Sequence, residues 1–182
     1  MQEYANDNGA FAGIAGSYSC PADYASCADK KWSFDFALYD SSDGKWLNKD
    51  ALSWGDTGLI IFNGSNSKGY EKSSEYGGGG VSAGISNFPT LVSGGNIVVD
   101  SGDIDAFQSS KGTRGAIGLD DNNIYLAYVT RASVIDVAYV MKALGAKSAL
   151  NLDGGGSSAM YVNGRYVVEP GRPLPNAILL VK

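Results

Sequence analysis

One segment, residues 124–158, constrains the fold more than any other part of the chain, because it carries signals for four elements in direct succession. The apolar run Ile124–Val129 predicts a strand. The apolar residues that follow recur at spacings of three and four, which gives a helix one apolar face. These residues are Val134, Val137, Ala138, Met141 and Leu144.

The ends of this helix are also marked. Ser133 and Asp136 have the spacing of a capping box, and Gly145 fits the position just after a helix end. A second apolar run, Ala149–Leu152, then leads into the glycine-rich segment 153–158. We therefore expect one α/β (α+β) domain over residues 1–182, with a mixed β-sheet, one main helix and a glycine-rich loop at the end of a strand.

Strand patterns dominate the rest of the chain. Apolar and polar residues alternate over Trp32–Tyr39, which predicts a half-buried strand, and Asn163-Gly164 predicts a type I′ hairpin turn. The polar segment 63–80 predicts a long surface loop, and residues 2–8 have a weak helix pattern. Further strands are predicted at Leu59–Phe62, Ile97–Val99, Met160–Val162, Tyr166–Val168 and Ala177–Val181.

Composition excludes several classes of protein. The net charge is −5, and no basic cluster exceeds Lys30-Lys31, so the sequence predicts no nucleic-acid partner. The longest aliphatic run, Ile178–Val181, is far too short for a membrane span. The amino terminus lacks the basic and apolar regions of an intact signal peptide. The oligomeric state stays open.

The chain contains no histidine, which removes the Ser-His-Asp triad, the Cys-His pair and the usual imidazole metal sites. Catalysis would have to use carboxylates, hydroxyls, arginine or lysine, backbone amides or a bound cation. Cys20 and Cys27 are too few for a zinc site without histidine. They are either free thiols or, as we favour, a disulfide in a surface loop of an exported protein, which would contribute roughly 2.5 kcal/mol.

The glycine-rich loop allows three interpretations. It has no lysine for a phosphate-binding P-loop, and it lacks the final glycine and the histidine partner of a hydrolase nucleophile elbow. Its consecutive glycines and serines favour an anion-binding nest, in which N–H groups and hydroxyls converge on one point beside Asp153. The alternative is a turn in which Asp153 only hydrogen-bonds its own backbone.

Several motifs together resemble the phosphodiester glycosidase family, over a region from about Phe11 to Lys182. They are RGAIG at 114–118, LGA at 144–146, ALNLDGGGSS at 149–158 with the hairpin after it, R-x-x-x-N-A at 172–177, PTLV at 89–92, and GIAGSYS at 13–19 in place of the family's G-I-N-G-x-F-F. Three positions depart from the family pattern. Ala15 replaces an asparagine, Ser19 replaces an aromatic residue, and Gly115 replaces a threonine.

The resemblance implies hydrolysis of a sugar-1-phosphodiester, with a carbohydrate or sugar-phosphate as partner. It implies Asp153 as nucleophile or as base for water, and Arg114 as a bidentate phosphate clamp. Without the resemblance, Arg114 would suit a surface ion pair equally well. The candidate substrate-binding residues are Gly154, Gly155, Gly156, Ser157, Ser158, Asn151, Gly16, Ser17, Arg172 and Asn176.

Besides a purely structural surface or phage-associated protein, which would show neither turnover nor ligand binding, two alternatives remain at this point. The first is a non-catalytic descendant that binds carbohydrate or phosphate, motivated by Ala15. The second concerns metals: no cofactor is expected, but the acidic segment Asp100–Asp105 leaves open a structural calcium site, although its order does not match an EF-hand loop. A solvated loop is the simpler interpretation of this segment.

Overall fold

The computed structural model describes residues 1–20, 24–29 and 31–182. Within them, the strands form three sheets and α3 is the main helix. In chain order the elements are α1 (Gln2–Asp7), β1 (Ala10–Ala15), β2 (Leu38–Asp40), β3 (Lys45–Leu47), β4 (Gly58–Asn63), β5 (Asn66–Tyr70), β6 (Ala83–Asn87), β7 (Thr90–Ser93), β8 (Asn96–Ile97), α2 (Ala106–Ser109), β9 (Gly112–Leu119), β10 (Ile124–Ala132), α3 (Val134–Ala143), β11 (Ser148–Leu152), β12 (Met160–Val162), β13 (Arg165–Val168) and β14 (Ala177–Val181).

The sheet orders are β10-β9-β11-β7-β8, β3-β2-β6-β4-β5 and β13-β12-β1-β14. The predicted single α+β domain is confirmed. However, the strand pairs of the described residues are antiparallel, and they form three sheets where a mixed sheet was expected. Among these residues, no helix has the length and hydrophobicity needed to cross a membrane.

The sheet containing β9 and β11 is covered on both faces, and its side chains alternate accordingly. On β9, Ala116 faces α3, where it joins the cluster that contains Val137 and Met141. Ile117 belongs to a second cluster, which includes Ile85 of β6. Because both faces are packed, β9 and β11 are held rigidly, and the segment that follows β11 starts from a fixed point.

The predicted α3 is confirmed together with its cap. The Ser133 hydroxyl accepts the Asp136 N–H at 3.2 Å, and the Asp136 carboxylate accepts the Ser133 N–H at 2.6 Å. The predicted hairpin turn is confirmed by φ angles of 49° at Asn163 and 86° at Gly164, both of which a type I′ turn requires. The weak helix pattern at the amino terminus corresponds to α1.

Two predictions of secondary structure are wrong, and the strand predicted at Ile97–Val99 is confirmed only at Ile97, where β8 ends. Only Leu38 and Tyr39 of the segment 32–39 lie in a strand. Phe34 and Phe36 line a cavity instead, and Phe34 forms only an isolated bridge with Ser19. The predicted loop 63–80 contains β5, which pairs with β4 in a hairpin. β5 is a largely exposed edge strand, so no alternation of apolar and polar residues marks it in the sequence.

We predict that Ser133→Ala lowers the free energy of unfolding by about 1 kcal/mol, because an N-cap acceptor of α3 is lost. Urea denaturation followed by circular dichroism measures the change. Ser133→Thr retains a capping hydroxyl and serves as the control. Equal stability of Ser133→Ala and the wild type would contradict the assigned cap.

Candidate functional site

Asp153 lies directly after β11, where the chain leaves the packed sheet. Its backbone N–H donates to the carbonyl of Gly16 at 2.9 Å, which ties the turn to the end of β1. Its half-buried carboxylate accepts the N–H of Gly154 at 2.8 Å and the hydroxyl of Ser157. A single carboxylate is therefore held between the central sheet and the glycine loop.

The environment of Asp153 pulls its pKa in two directions. Burial is the largest influence and raises the pKa, because water that would stabilise the charge is excluded. Hydrogen bonds from Ser157 and Gly154 and the positive charge of Arg172 lower it, and the negative charge of Asp35 raises it. The net effect is a pKa above the ordinary aspartate value.

Each of the three glycines after Asp153 lacks a side chain for a different reason. A Cβ on Gly154 would lie 2.7 Å from the backbone oxygen of Thr113, so the loop packs directly against β9. Gly155 has a φ of 56°, the left-handed conformation that begins a short 3-10 turn. A Cβ on Gly156 would lie 2.9 Å from the guanidinium of Arg172. The third glycine therefore makes room for a cation.

Arg172 is the positive charge that acts on Asp153. The N–H of Gly171 donates to the carbonyl of Gly156 at 3.0 Å, which fixes the two segments together. The guanidinium also lies over the ring of Tyr24, 5.6 Å from its centroid, and so makes a cation–π contact. Tyr24 belongs to the loop closed by the Cys20–Cys27 disulfide, so the predicted disulfide is confirmed and lies next to the site.

Arg114 occupies a different position from the one expected. Its backbone is beside Gly154, but its Nη2 donates to the carbonyl of Phe107 and, at 2.9 Å, to that of Ser110. Its buried Nε has no hydrogen-bond partner among the described residues. The side chain is half-buried and turned towards α2, where its Nη2 bonds to backbone carbonyls.

Gly16, Ser17 and Asn176 are brought together, although they are distant in sequence. The Asn176 side chain accepts the Ser17 N–H at 2.8 Å and donates to the Ser17 carbonyl at 3.1 Å. The Ser17 hydroxyl donates to the carbonyl of Ser86 at 2.9 Å. All three residues are buried. Their polar groups thus bond within the protein and join β1 to the start of β14 beside Asp153.

Asn151 lies on β11 and is fully buried. Its Nδ2 donates to the hydroxyl of Tyr18 at 2.7 Å and to the carbonyl of Phe88 at 3.0 Å, whereas its Oδ1 has no partner within the described part of the chain. Burial raises the pKa of Tyr18, and the charge of Asp153 raises it further. Tyr18 is therefore a neutral hydroxyl within electrostatic reach of Asp153.

A second tyrosine supports the loop from the other side. The Tyr128 hydroxyl accepts the N–H of Ala159 at 3.0 Å and lies 3.3 Å from the carbonyl oxygen of Asp153. Ser158 is buried next to this hydroxyl. Burial raises the pKa of Tyr128, so this hydroxyl too stays neutral. Tyr128 thus connects the two ends of the segment 153–159.

Ala15, the main departure from the family pattern, packs among apolar side chains. It is buried in the cluster that contains Ala5, Ala159 and Tyr161. It is absent from the groups whose charges or hydrogen bonds set the pKa of Asp153. The departure therefore lies in the packing between β1 and α1.

The acidic segment Asp100–Asp105 forms local turns. Asp100 accepts the N–H of Gly102, Asp103 accepts that of Asp100, and Asp105 caps α2. Across residues 1–20, 24–29 and 31–182, no three candidate ligands cluster closely enough to hold a metal ion. The calcium interpretation gains no support from this arrangement.

Sequence reasoning missed four residues at this site: Tyr18, Tyr24, Asp35 and Tyr128. Tyr18 stands at an aromatic position of the opening motif, which was a usable signal. Asp35 was assigned to a strand face and therefore to solvent. Tyr24 and Tyr128 carry no signal in the sequence, because only the folded chain brings them to the loop.

The chain matches the family model described as phosphodiester glycosidase over residues 38–181. A search of curated protein sequences finds no match.

Two solved structures have a similar fold. The catalytic domain of zebrafish N-acetylglucosamine-1-phosphodiester alpha-N-acetylglucosaminidase, auto-inhibited by its pro-peptide, is 16% identical with a TM-score of 0.75. The match covers 100% of this chain and 66% of that one. A hypothetical protein from Synechocystis is 14% identical with a TM-score of 0.58, and the match covers 98% of this chain and 52% of that one. This chain therefore spans between half and two thirds of the length of either protein.

We predict that Asp153→Asn stabilises the protein at pH 7. The folded-state pKa of Asp153 is raised, so the ionised carboxylate destabilises the fold, and this penalty grows as pH rises above the ordinary aspartate value. Thermal unfolding should show a melting temperature raised by about 2–4 °C at pH 7, for roughly 1 kcal/mol, and less at pH 3. Asp56→Asn, at an exposed position, is the control. An increase that is equal at both pH values would contradict the assignment.

Proposed function

Because this chain belongs to the phosphodiester glycosidase family, we propose that it hydrolyses the bond between C1 of a sugar and the oxygen of a phosphodiester. One observation carries the proposal. A desolvated carboxylate, Asp153, accepts the N–H of Gly154, and the guanidinium of Arg172, which lies against Gly156, is within electrostatic reach of it. This arrangement supplies both a base or nucleophile and a site for developing negative charge.

The phosphate in this proposal binds at the glycine loop. The departing oxygen takes the electron pair of the C1–O bond, and the phosphomonoester that forms is negatively charged. Arg172 and the N–H groups of Gly155 and Gly156 stabilise that charge, with the Ser157 hydroxyl beside them. Because phosphate is a good leaving group, the reaction needs less help from a general acid than the loss of an alcohol does.

Asp153 in this proposal acts on C1. It either attacks C1 and forms a glycosyl-enzyme that water then hydrolyses, or removes a proton from the water that attacks C1. Burial suits both roles, because it raises the pKa and makes the carboxylate more basic. Asp35 is the second carboxylate whose charge reaches Asp153, and the anomeric configuration of the first product, read by NMR, distinguishes the two routes.

The remaining candidate residues hold the site in this proposal. Ser17 and Asn176 join the strands beside Asp153, and Asn151 fixes Tyr18. Arg114 acts through α2 and Tyr18, since its charge lowers the pKa of Tyr18 while Nη2 bonds to carbonyls. We also propose that the protein is exported, which the Cys20–Cys27 disulfide supports.

The proposal is tested by release of free sugar from a panel of sugar-1-phosphate methyl diesters, N-acetylglucosamine included. We expect turnover by the wild type and a loss of roughly a thousandfold in Asp153→Asn. Arg172→Lys should lose about a hundredfold in kcat/KM, because the bidentate donor is gone, and Arg114→Lys less than about tenfold. No turnover with retained binding of a diester would favour the non-catalytic alternative. A larger loss of kcat/KM in Arg114→Lys than in Arg172→Lys would contradict the phosphate site at Arg172 and assign it to Arg114.

The pH profile of kcat/KM provides a further prediction. Asp153 must be ionised, so activity should rise with pH through its raised pKa. Asp35→Asn removes a negative charge and should move this acidic limb to lower pH. Arg172→Gln removes a positive charge and should move it to higher pH. Shifts in the same direction would contradict the assignment of Asp153 as the titrating group.

A further inference from the structure

A cavity of about 630 Å³ opens beside the candidate site. This volume is within the range of about 300–1,000 Å³ that is typical of small-molecule sites. Tyr18 and Asp35 line it, and both are in electrostatic contact with Asp153. Asn151, two residues before Asp153, donates to the Tyr18 hydroxyl at 2.7 Å, so the cavity borders the strand end that carries the carboxylate. The phosphate site proposed above does not use this cavity.

Three aromatic rings in mutual contact, Tyr18, Phe36 and Trp54, line this cavity. Tyr18 lies 6.1 Å from Phe36, and Phe36 lies 6.0 Å from Trp54, between ring centroids. Tyr18 is largely buried, whereas Trp54 is 39% exposed. Ring faces of this kind cover the apolar C–H face of a pyranose, and they lose little conformational entropy in doing so.

Carboxylates supply the polar side of the cavity. Asp35, Asp103 and Asp105 all line it, and among the described residues no lysine or arginine does. Asp103 and Asp105 each accept one backbone N–H, at 2.9 Å and 2.8 Å, and an ionised carboxylate can accept about four hydrogen bonds. Arg114 approaches the same helix, α2, but turns Nη2 to carbonyl oxygens. The cavity thus favours donors of hydrogen bonds and repels anions.

Positively and negatively charged groups therefore lie in different places around Asp153. Arg172 and the glycine N–H groups lie where the loop 154–156 turns, while the three carboxylates line the cavity. A sugar-1-phosphodiester has the matching polarity, with an anionic end and a ring rich in hydroxyl groups. Its anionic end is excluded from the cavity by the same-sign charge of the carboxylates.

We propose that this cavity binds the sugar ring of the substrate and selects by charge. It prefers a sugar with a protonated amino group, accepts a neutral sugar, and rejects a sugar acid. This proposal rests on the proposed function for the orientation of the substrate, but the binding preference exists without turnover. Trp54 and Phe36 hold the ring, and Asp103 and Asp105 set the preference for charge.

The test is calorimetric titration of the wild type with D-glucosamine, D-glucose and D-glucuronate at pH 6 and low ionic strength. We expect glucosamine to bind about fivefold more tightly than glucose, and glucuronate to bind at least about fivefold more weakly than glucose. In the double variant Asp103→Asn, Asp105→Asn, which leaves Asp35 charged, the three affinities should move closer together. Asparagine at residue 105 keeps the cap of α2, so the fold of that segment is preserved.

A second variant separates the ring contact from the charge. Trp54→Ala should weaken the binding of all three sugars to the same degree. Trp46→Ala, which alters a ring outside this cavity, should change none of the three affinities. Equal affinity for glucuronate and glucosamine, an unchanged preference in the double variant, or no binding at millimolar concentrations would overturn the proposal.

These outcomes are independent of the proposed function. A charge preference in sugar binding without turnover of any diester would support the cavity as a sugar site and contradict the glycosidase activity. Turnover of amino-sugar and sugar-acid diesters at equal rates would support the glycosidase activity and contradict the charge selection by the cavity.

Discussion

A negative charge with restricted access to water is the constraint on which the rest of this site depends. Asp153 lies at the end of a strand that is packed on both faces, so burial is imposed on it by the fold. An isolated buried carboxylate is costly, and the surroundings reduce that cost with a backbone N–H, a hydroxyl and a guanidinium. The glycines that follow allow all three to approach, because side chains at residues 154 and 156 would collide with the backbone of β9 and with Arg172.

The same carboxylate divides the surroundings by charge. On the side of the loop 154–156 the guanidinium of Arg172 lies against Gly156, and on the side of Tyr18 an acidic cavity with aromatic walls opens to solvent. Asp35 connects the two, since it lines the cavity and raises the pKa of Asp153. Electrostatic complementarity of this kind orients a dipolar ligand before any specific contact forms.

Much of this could be predicted from sequence where the signal is local. The helix α3, its cap, the hairpin at Asn163 and the position of Asp153 after a buried strand all follow from periodicity and turn chemistry. The choice between Arg114 and Arg172 could not be predicted in this way. It depends on which of the two guanidinium groups lies next to Gly156 in the folded chain. The segment 33–36 was misassigned because the alternation of Phe34 and Phe36 with polar residues is as compatible with a cavity wall as with a strand. That the described strand pairs are antiparallel also has no local signature.

The bonds between Ser17 and Asn176 have a consequence for synthesis of the protein. The ribosome makes the opening motif early, and its partner at residue 176 emerges only after β1 to β13 have been translated. A nascent chain therefore holds Asp153 and the glycine loop before the strand that secures them exists. This long-range contact cannot form until residue 176 has left the exit tunnel.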